Sequence, residues 1–232
     1  MANKSYLTLK DTYSSLEERI IFACRKANRQ REEVTLIAVT KTHPSEKIQA
    51  AYNLGIRDFG ENKVQELLKK REALPQDIRW HLIGHLQSNK AKYIAPFIHC
   101  VHSIDSIEIA RELSKRAVQH SRTVDVLLEI NVAGETTKEG IALSEAESLL
   151  HLIFEEATSL NVKGLMTVAP FVEDPEDVRP YFRELRKLRD KLGLEELSMG
   201  MTNDFEVAIE EGSTIIRIGS AFFGERLKNQ NS

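Results

Sequence analysis

A chain of 232 residues with 41% apolar and 29% charged side chains has an ordinary globular balance and enough length to bury a full core in one α/β domain. Its formal charge of -3 gives no general reason to expect nucleic acid as a partner, so any anion site must be local. Met1 to Ser5 carries no apolar signal core, and no window approaches the roughly 18 to 20 apolar residues of a membrane span, which predicts a cytoplasmic protein with no membrane partner.

In chain order, Leu9, Tyr13, Leu16, Ile20 and Ala27 recur at helical spacing up to about Arg29, which predicts one long amphipathic helix before the first strand. Strands and helices then alternate. Short apolar runs predict strands near Leu36 to Val39, Asp58 to Gly60, Arg79 to Ile83, Ile98 to His102, Val124 to Asn131, Val162 to Met166, Leu197 to Met199 and Thr214 to Ile218. Helix starts are marked by the capping-box spacings Ser144/Glu147 and Asn203/Glu206, and by Asp174-Pro175-Glu176-Asp177. Gly55, Gly193 and Gly212 each follow a helical run and precede a strand, as left-handed helix ends do. Eight such units with no linker predict a single domain over 1–232: an α/β fold, the (β/α)8 TIM barrel, with an extra N-terminal helix. The two cysteines, Cys24 and Cys100, lie in apolar-rich segments without ligand spacing and read as core thiols.

A barrel places its chemistry where strands end, and those ends read Lys41, Glu61-Asn62, His85, Ser103, Asn131, Thr167, Ser198 with Thr202, and Arg217 with Gly219 and Ser220. Lys41 closes a strand that would be buried on both faces, and Pro44 stops the ladder just beyond it. An amine there suits Schiff-base chemistry, since desolvation and a nearby cation favour its neutral, nucleophilic form; the plain alternative is a surface lysine at a strand exit. At the other end of the chain, Ile216-Arg217-Ile218-Gly219-Ser220 outlines a phosphate cradle, with the Met199 to Asn203 loop as its second wall. Arg217 stands inside an apolar strand and needs a partner: a carboxylate such as Glu61 on the structural reading, a ligand's ring nitrogen or phosphate on the functional one. His81 and His85 have zinc-like spacing only if helical; in a strand-loop context they predict no metal, with His81 at a core or junction position and His85 at the rim. Lys70-Arg71 and Asn89-Lys90 with Lys92 read as solvated basic faces.

Five ordered segments carry a resemblance: Ala38-Val39-Thr40-Lys41; Phe59-Gly60-Glu61-Asn62-Lys63-Val64-Gln65-Glu66; Trp80 to Lys90; Leu197-Ser198-Met199-Gly200-Met201; and Ile216-Arg217-Ile218-Gly219-Ser220. Together they resemble the pyridoxal-phosphate homeostasis protein family, the YggS/PROSC group, along the whole chain. The resemblance implies a barrel like the N-terminal domain of alanine racemase, with pyridoxal 5'-phosphate (PLP) as the cofactor, held as an aldimine on Lys41. It also implies phosphate contacts at Ser198 or Thr202, Gly219 and Ser220, a ring contact at Arg217, and Asn62 within the cofactor site. Thr202 and Ser220 stand where serine and threonine are expected, and either hydroxyl can donate to phosphate. The implied role is a monomeric, non-catalytic carrier that stores, buffers or delivers PLP to apoenzymes and so affects amino-acid and keto-acid balance. The alternative is a racemase-type enzyme, which would need a second proton carrier; Tyr6, Tyr13, Tyr52, Tyr93 and Tyr181 all fall in helical patterns.

Overall fold

The computed structural model describes residues 8–135 and 137–224; the Met1 to Ser5 segment and Tyr6 lie outside them. Its first element is the helix α1 (Leu9–Lys26), started by a capping box in which the Thr8 hydroxyl accepts the Asp11 amide at 3.2 Å and the Asp11 carboxylate accepts the Thr8 amide at 3.0 Å. Then come β1 (Thr35–Val39), α2 (Ser45–Asn53), β2 (Asp58–Glu61), α3 (Val64–Ala73), β3 (Arg79–Leu82), α4 (Ala91–Ile94), β4 (Cys100–Ile104) and α5 (Ile107–Gln119). The second half supplies β5 (Val124–Glu129), α6 (Ala146–Glu156), β6 (Leu160–Met166), α7 (Arg179–Lys191), β7 (Glu196–Ser198), α8 (Phe205–Glu210), β8 (Ile215–Ile218) and the short α9 (Ser220–Phe223). All strands are parallel to their neighbours and follow chain order, and β1 pairs with β8, Thr35 against Ile215 through Ala38 against Ile218, to close the barrel. The expected (β/α)8 architecture with an extra N-terminal helix is therefore the observed one.

Strand residues alternate between two apolar layers, as the pleat requires. Ile37, Cys100, Leu127, Met166 and Ile215 fill the barrel interior, whereas Leu36, Ala38, Phe59, Leu82, Leu165, Leu197 and Ile216 join the larger layer beneath the helices. Each fully buried Leu, Ile or Phe in these layers contributes about 1.5–3 kcal/mol of burial free energy. Helix α1 presents Leu16, Ile20, Ala23 and Cys24 to that outer layer and runs beside α8 and α9. Arg29 ties the chain after it to the carbonyls of Ile209 and Ser213, at 3.0 and 2.7 Å.

Element boundaries differ from the sequence reading in specific places. β4 begins at Cys100 because the Ile98 amide instead closes the turn after α4 on the Ile94 carbonyl. β5 stops at Glu129, since Asn131 turns away to bind the Glu135 backbone with its side chain. The Ser144/Glu147 box does not form: Glu145 accepts the Ala142 amide at 2.8 Å, a 3₁₀ turn follows, and α6 starts at Ala146. Asn203/Glu206 is likewise replaced, because Asp204 captures the Met201 amide at 2.6 Å and α8 starts at Phe205. Asp174 does cap its helix start as expected, and Gly55, Gly193 and Gly212 adopt φ of 101°, 64° and 96°.

Candidate functional site

A cavity of about 460 Å³ opens at the carboxyl ends of the strands. Five of the seven residues singled out from the sequence line it: Lys41, Thr202, Arg217, Gly219 and Ser220. Val39 and Ile83 add apolar surface from β1 and the end of β3, and Val168 to Val172 form an apolar wall after β6 that includes Phe171, 84% exposed. Asn62 and Ser198 are not among the lining residues. Asn62 is half-buried, its Oδ1 lacking a hydrogen-bond partner among the described residues, and Ser198 is fully buried beneath Arg217.

The Lys41 turn is held from outside the barrel. Glu61, at the end of β2, points toward α3, where the Lys70 ammonium donates to Glu61 Oε1 at 2.5 Å, to Glu66 Oε1 at 2.6 Å and to the Thr40 carbonyl at 2.7 Å. The Thr40 hydroxyl donates to Glu61, and the Thr42 amide donates to Glu66 Oε1 at 2.6 Å. Residues on both sides of Lys41 are thus fixed, which matters because Thr42 sits at φ 67°, a conformation strained for a β-branched residue. Burial raises the Glu61 carboxyl above its usual range, opposed by the hydrogen bonds from Lys70 and Thr40. Lys70 is therefore not part of a solvated face; it is 6% exposed and spends its three protons on this cluster, while Arg71 lies over the Phe97 ring at 4.2 Å.

Arg217 does not pair with Glu61, whose cation is Lys70. It is 4% exposed, donating from Nη1 to Ser198 Oγ at 2.7 Å and from Nη2 to the Thr167 carbonyl at 2.8 Å. Burial without a directly bonded carboxylate lowers its pKa to about 10, so it remains charged at neutral pH; the fields of Asp204 and Glu129 oppose the shift. Glu129, the last residue of β5, is raised to about 7 by burial and by the neighbouring charges of Glu139 and Asp105, and its Oε2 is buried without a partner. Beneath Arg217, Ser198 Oγ lies 2.9 Å from His102 Nδ1, His102 Nε2 lies 3.0 Å from His81 Nδ1, and His81 Nε2 lies 3.1 Å from Asp58.

After β7 and β8 the Thr202 and Ser220 hydroxyls are 3.1 Å apart, and the Ala221 amide donates to Thr202 Oγ1 at 3.3 Å. Gly200 makes the turn below them at φ 97°; a Cβ there would lie 2.6 Å from the Ala208 Cβ. His81 is a core residue as the sequence suggested, and the exposed His85 ring lies 3.6 Å from Asp105. Ligand atoms of His81, Cys100 and His102, and of Asp58, His81 and His99, fall within 4.8 Å of one another. Both nitrogens of His81 and of His102 are already within hydrogen-bond distance of protein partners, so a metal would have to displace those contacts. Among the described residues, no helix is long and apolar enough to cross a membrane.

Comparison with known proteins places the chain and its barrel in a family. The family described as alanine racemase, N-terminal domain, matches residues 15–227. The pyridoxal phosphate homeostasis protein of Aquifex aeolicus is 50% identical over 223 residues, 92% of this chain and 96% of its own. The structure of PipY from Synechococcus elongatus, solved with PLP bound, superposes with a TM-score of 0.80 at 32% identity, covering 94% of this chain and 100% of that one. Alanine racemase from Corynebacterium glutamicum shares the barrel, with a TM-score of 0.66 at 16% identity over 94% of this chain and 63% of its own.

Proposed function

Because the chain belongs to the pyridoxal phosphate homeostasis protein family, we propose that its cavity binds PLP through Lys41 and that the protein stores, buffers or delivers the cofactor without turning over amino acids. The observation that carries this reading is the convergence, on one cavity, of a strand-end amine, a buried guanidinium and a pair of hydroxyls from separate loops. These groups fit a phosphorylated aldehyde with a basic ring nitrogen: an amine to capture carbonyl carbon, donors for phosphate, and a donor for the ring. When bound, the cofactor supplies that aldehyde and a ring able to accept electrons.

Each of the chain's own residues then has a definite task. The Lys41 amine forms the covalent link, with its turn clamped by Lys70 and Glu66. Thr202, Ser220 and the Gly219 backbone hold the phosphate. Arg217, remaining charged, would serve as a donor to the ring nitrogen that does not pass it a proton, which would weaken the ring as an electron sink. Asn62, given to the cofactor site by resemblance, does not line the cavity, and its buried Oδ1 has no hydrogen-bond partner among the described residues. Ser198, given to the phosphate by resemblance, instead supports Arg217 from below. A racemase would need a second base: Tyr13, Tyr52, Tyr93 and Tyr181 lie in α1, α2, α4 and α7, and none of them lines the cavity. The same reading makes the protein a cytoplasmic monomer whose macromolecular partners are PLP-requiring apoenzymes.

Borohydride reduction of the PLP-loaded protein followed by peptide mass mapping tests the central assignment. The adduct is expected on Lys41; an adduct on Lys47, Lys63 or Lys90 would overturn it.

A further inference from the structure

The hydrogen bonds under Arg217 form a directed series, and direction is what gives them a consequence. A guanidinium can only donate, so Ser198 Oγ must accept from it. The one other partner of that hydroxyl is His102 Nδ1, at 2.9 Å; the Ser198 proton therefore goes there, and His102 must carry its own proton on Nε2. His102 Nε2 faces His81 Nδ1 at 3.0 Å, which then has to accept, leaving the His81 proton on Nε2, where it donates to Asp58 at 3.1 Å. Starting from the far end gives the same answer. Asp58 is held ionised by His81 and Arg79, which outweigh its burial, and a carboxylate can only accept. His102, fully buried beside Arg217 and His81, is pushed well toward its neutral form. Adding a proton to either ring would bury another cation and leave the Ser198 proton without an acceptor.

The ends of the series are equally informative. Arg217 lies near the carboxyl end of β8 and lines the cavity, whereas Asp58 is the first residue of β2 at the opposite mouth of the barrel. A carboxylate bonded directly to Arg217 would have neutralised it and competed with a ligand for its protons. Here the two acceptors that fix the guanidinium, Ser198 Oγ and the Thr167 carbonyl, are both uncharged.

We propose that Ser198, His102, His81 and Asp58 are positioning residues for Arg217: a one-way hydrogen-bonded chain through the barrel interior that aims the guanidinium into the cavity without bonding a carboxylate to it. The consequence for PLP rests on the reading of the cavity given above; the proton arrangement does not.

Two measurements test the proposal. Nitrogen-15 NMR of the ligand-free protein should show His81 and His102 as neutral rings protonated on Nε2 between pH 6 and 8; an Nδ1-protonated or imidazolium signature at either ring overturns it. PLP titration, followed by the visible absorbance of the bound cofactor, should show Ser198→Ala weakened at least fivefold, with Ser198→Thr restored to within about twofold of the parent. Asp58→Asn, which touches no cavity residue but can donate where the carboxylate only accepts, should shift both the tautomer signals and the affinity. Lys92→Ala, an exposed position outside both the chain and the cavity, should leave affinity unchanged. Melting temperatures identify variants that remain folded, and folded Ser198→Ala and Asp58→Asn proteins with parental affinity and absorbance would overturn the proposal. If the parent itself takes up no PLP, the cofactor reading fails, while the NMR result still decides the chain.

Discussion

Replacing Glu129 by glutamine should stabilise the protein at alkaline pH and do much less in acid. The Glu129 carboxyl is 7% exposed, has a buried oxygen with no partner, and titrates near 7 in the folded protein against an ordinary 4.5. Its folded pKa is raised, so its contribution to stability is complete below about 4.5 and is lost as pH climbs through 7. With 1.36 kcal/mol per tenfold change in acidity, the gap between 4.5 and 7 corresponds to about 3 kcal/mol of penalty at pH 8, and to less than about 1 kcal/mol at pH 5. Glutamine cannot ionise and so escapes the penalty, although its amide adds a donor that needs a partner, at a cost of about 1 kcal/mol or more at every pH. The quantity to measure is therefore a difference of differences: variant minus parent at pH 8, less the same at pH 5, expected near +2.5 kcal/mol. For a domain of this size that corresponds to roughly 5–10 °C in melting temperature. Urea unfolding of the cofactor-free proteins, followed by circular dichroism at both pH values, gives the number. A value near zero, or a negative one, refutes the assignment of Glu129 as a buried, unpaired carboxyl.

Three further outcomes are expected. Lys70→Met leaves Glu61 fully buried without its cation and should cost about 3–5 kcal/mol at pH 8, with the deficit shrinking as the pH falls, because protonation of the raised Glu61 carboxyl removes the buried charge; a loss in urea unfolding that is the same at every pH would contradict this. A Cβ on Gly219 would sit 3.6 Å from Val39, an ordinary contact, so Gly219→Ala should fold normally yet lose PLP affinity relative to exposed Lys92→Ala; equal dissociation constants would remove Gly219 from the phosphate site. PLP-loaded protein incubated with L-alanine in deuterated water should show no appreciable exchange of the α-proton by NMR, and rapid exchange that disappears in Lys41→Ala would restore an enzyme.

The sequence disclosed the parts of this molecule that depend on neighbours in the chain. Apolar runs ending in polar residues located all eight strands, and reading off their ends found Lys41, Thr202, Arg217, Gly219 and Ser220, because a parallel barrel brings its strand ends together whatever else it does. What stayed hidden depends on closure. Asp58, His81, His102 and Ser198 lie on four different strands and meet only in the barrel interior, and nothing in their spacing announces it. Lys70 was misread because a Glu66/Lys70 pair at i, i+4 usually decorates a wet helix face; here that face of α3 turns toward Glu61. The Ser144 and Asn203 starts failed for a related reason, since other nearby carboxylates, Glu145 and Asp204, reached the free amides first.

The two misread features share one physical arrangement. On the outer surface of the barrel, Lys70 fixes the turn carrying Lys41 through the Thr40 carbonyl and Glu66; in the interior, Ser198 and Thr167 fix Arg217. The residues facing the cavity are thus oriented by polar groups behind the wall, and Arg217 is held there by uncharged acceptors and not by a carboxylate that a ligand would have to displace. Such networks are expensive to bury, and the orphaned oxygens of Glu61, Asn62 and Glu129 mark where the expense is greatest. A barrel selected for stability alone would fill these positions with apolar side chains. Their concentration at the carboxyl ends of β2 and β5, and along the line from Asp58 to Arg217, supports the proposal that the function lies at this end of the barrel.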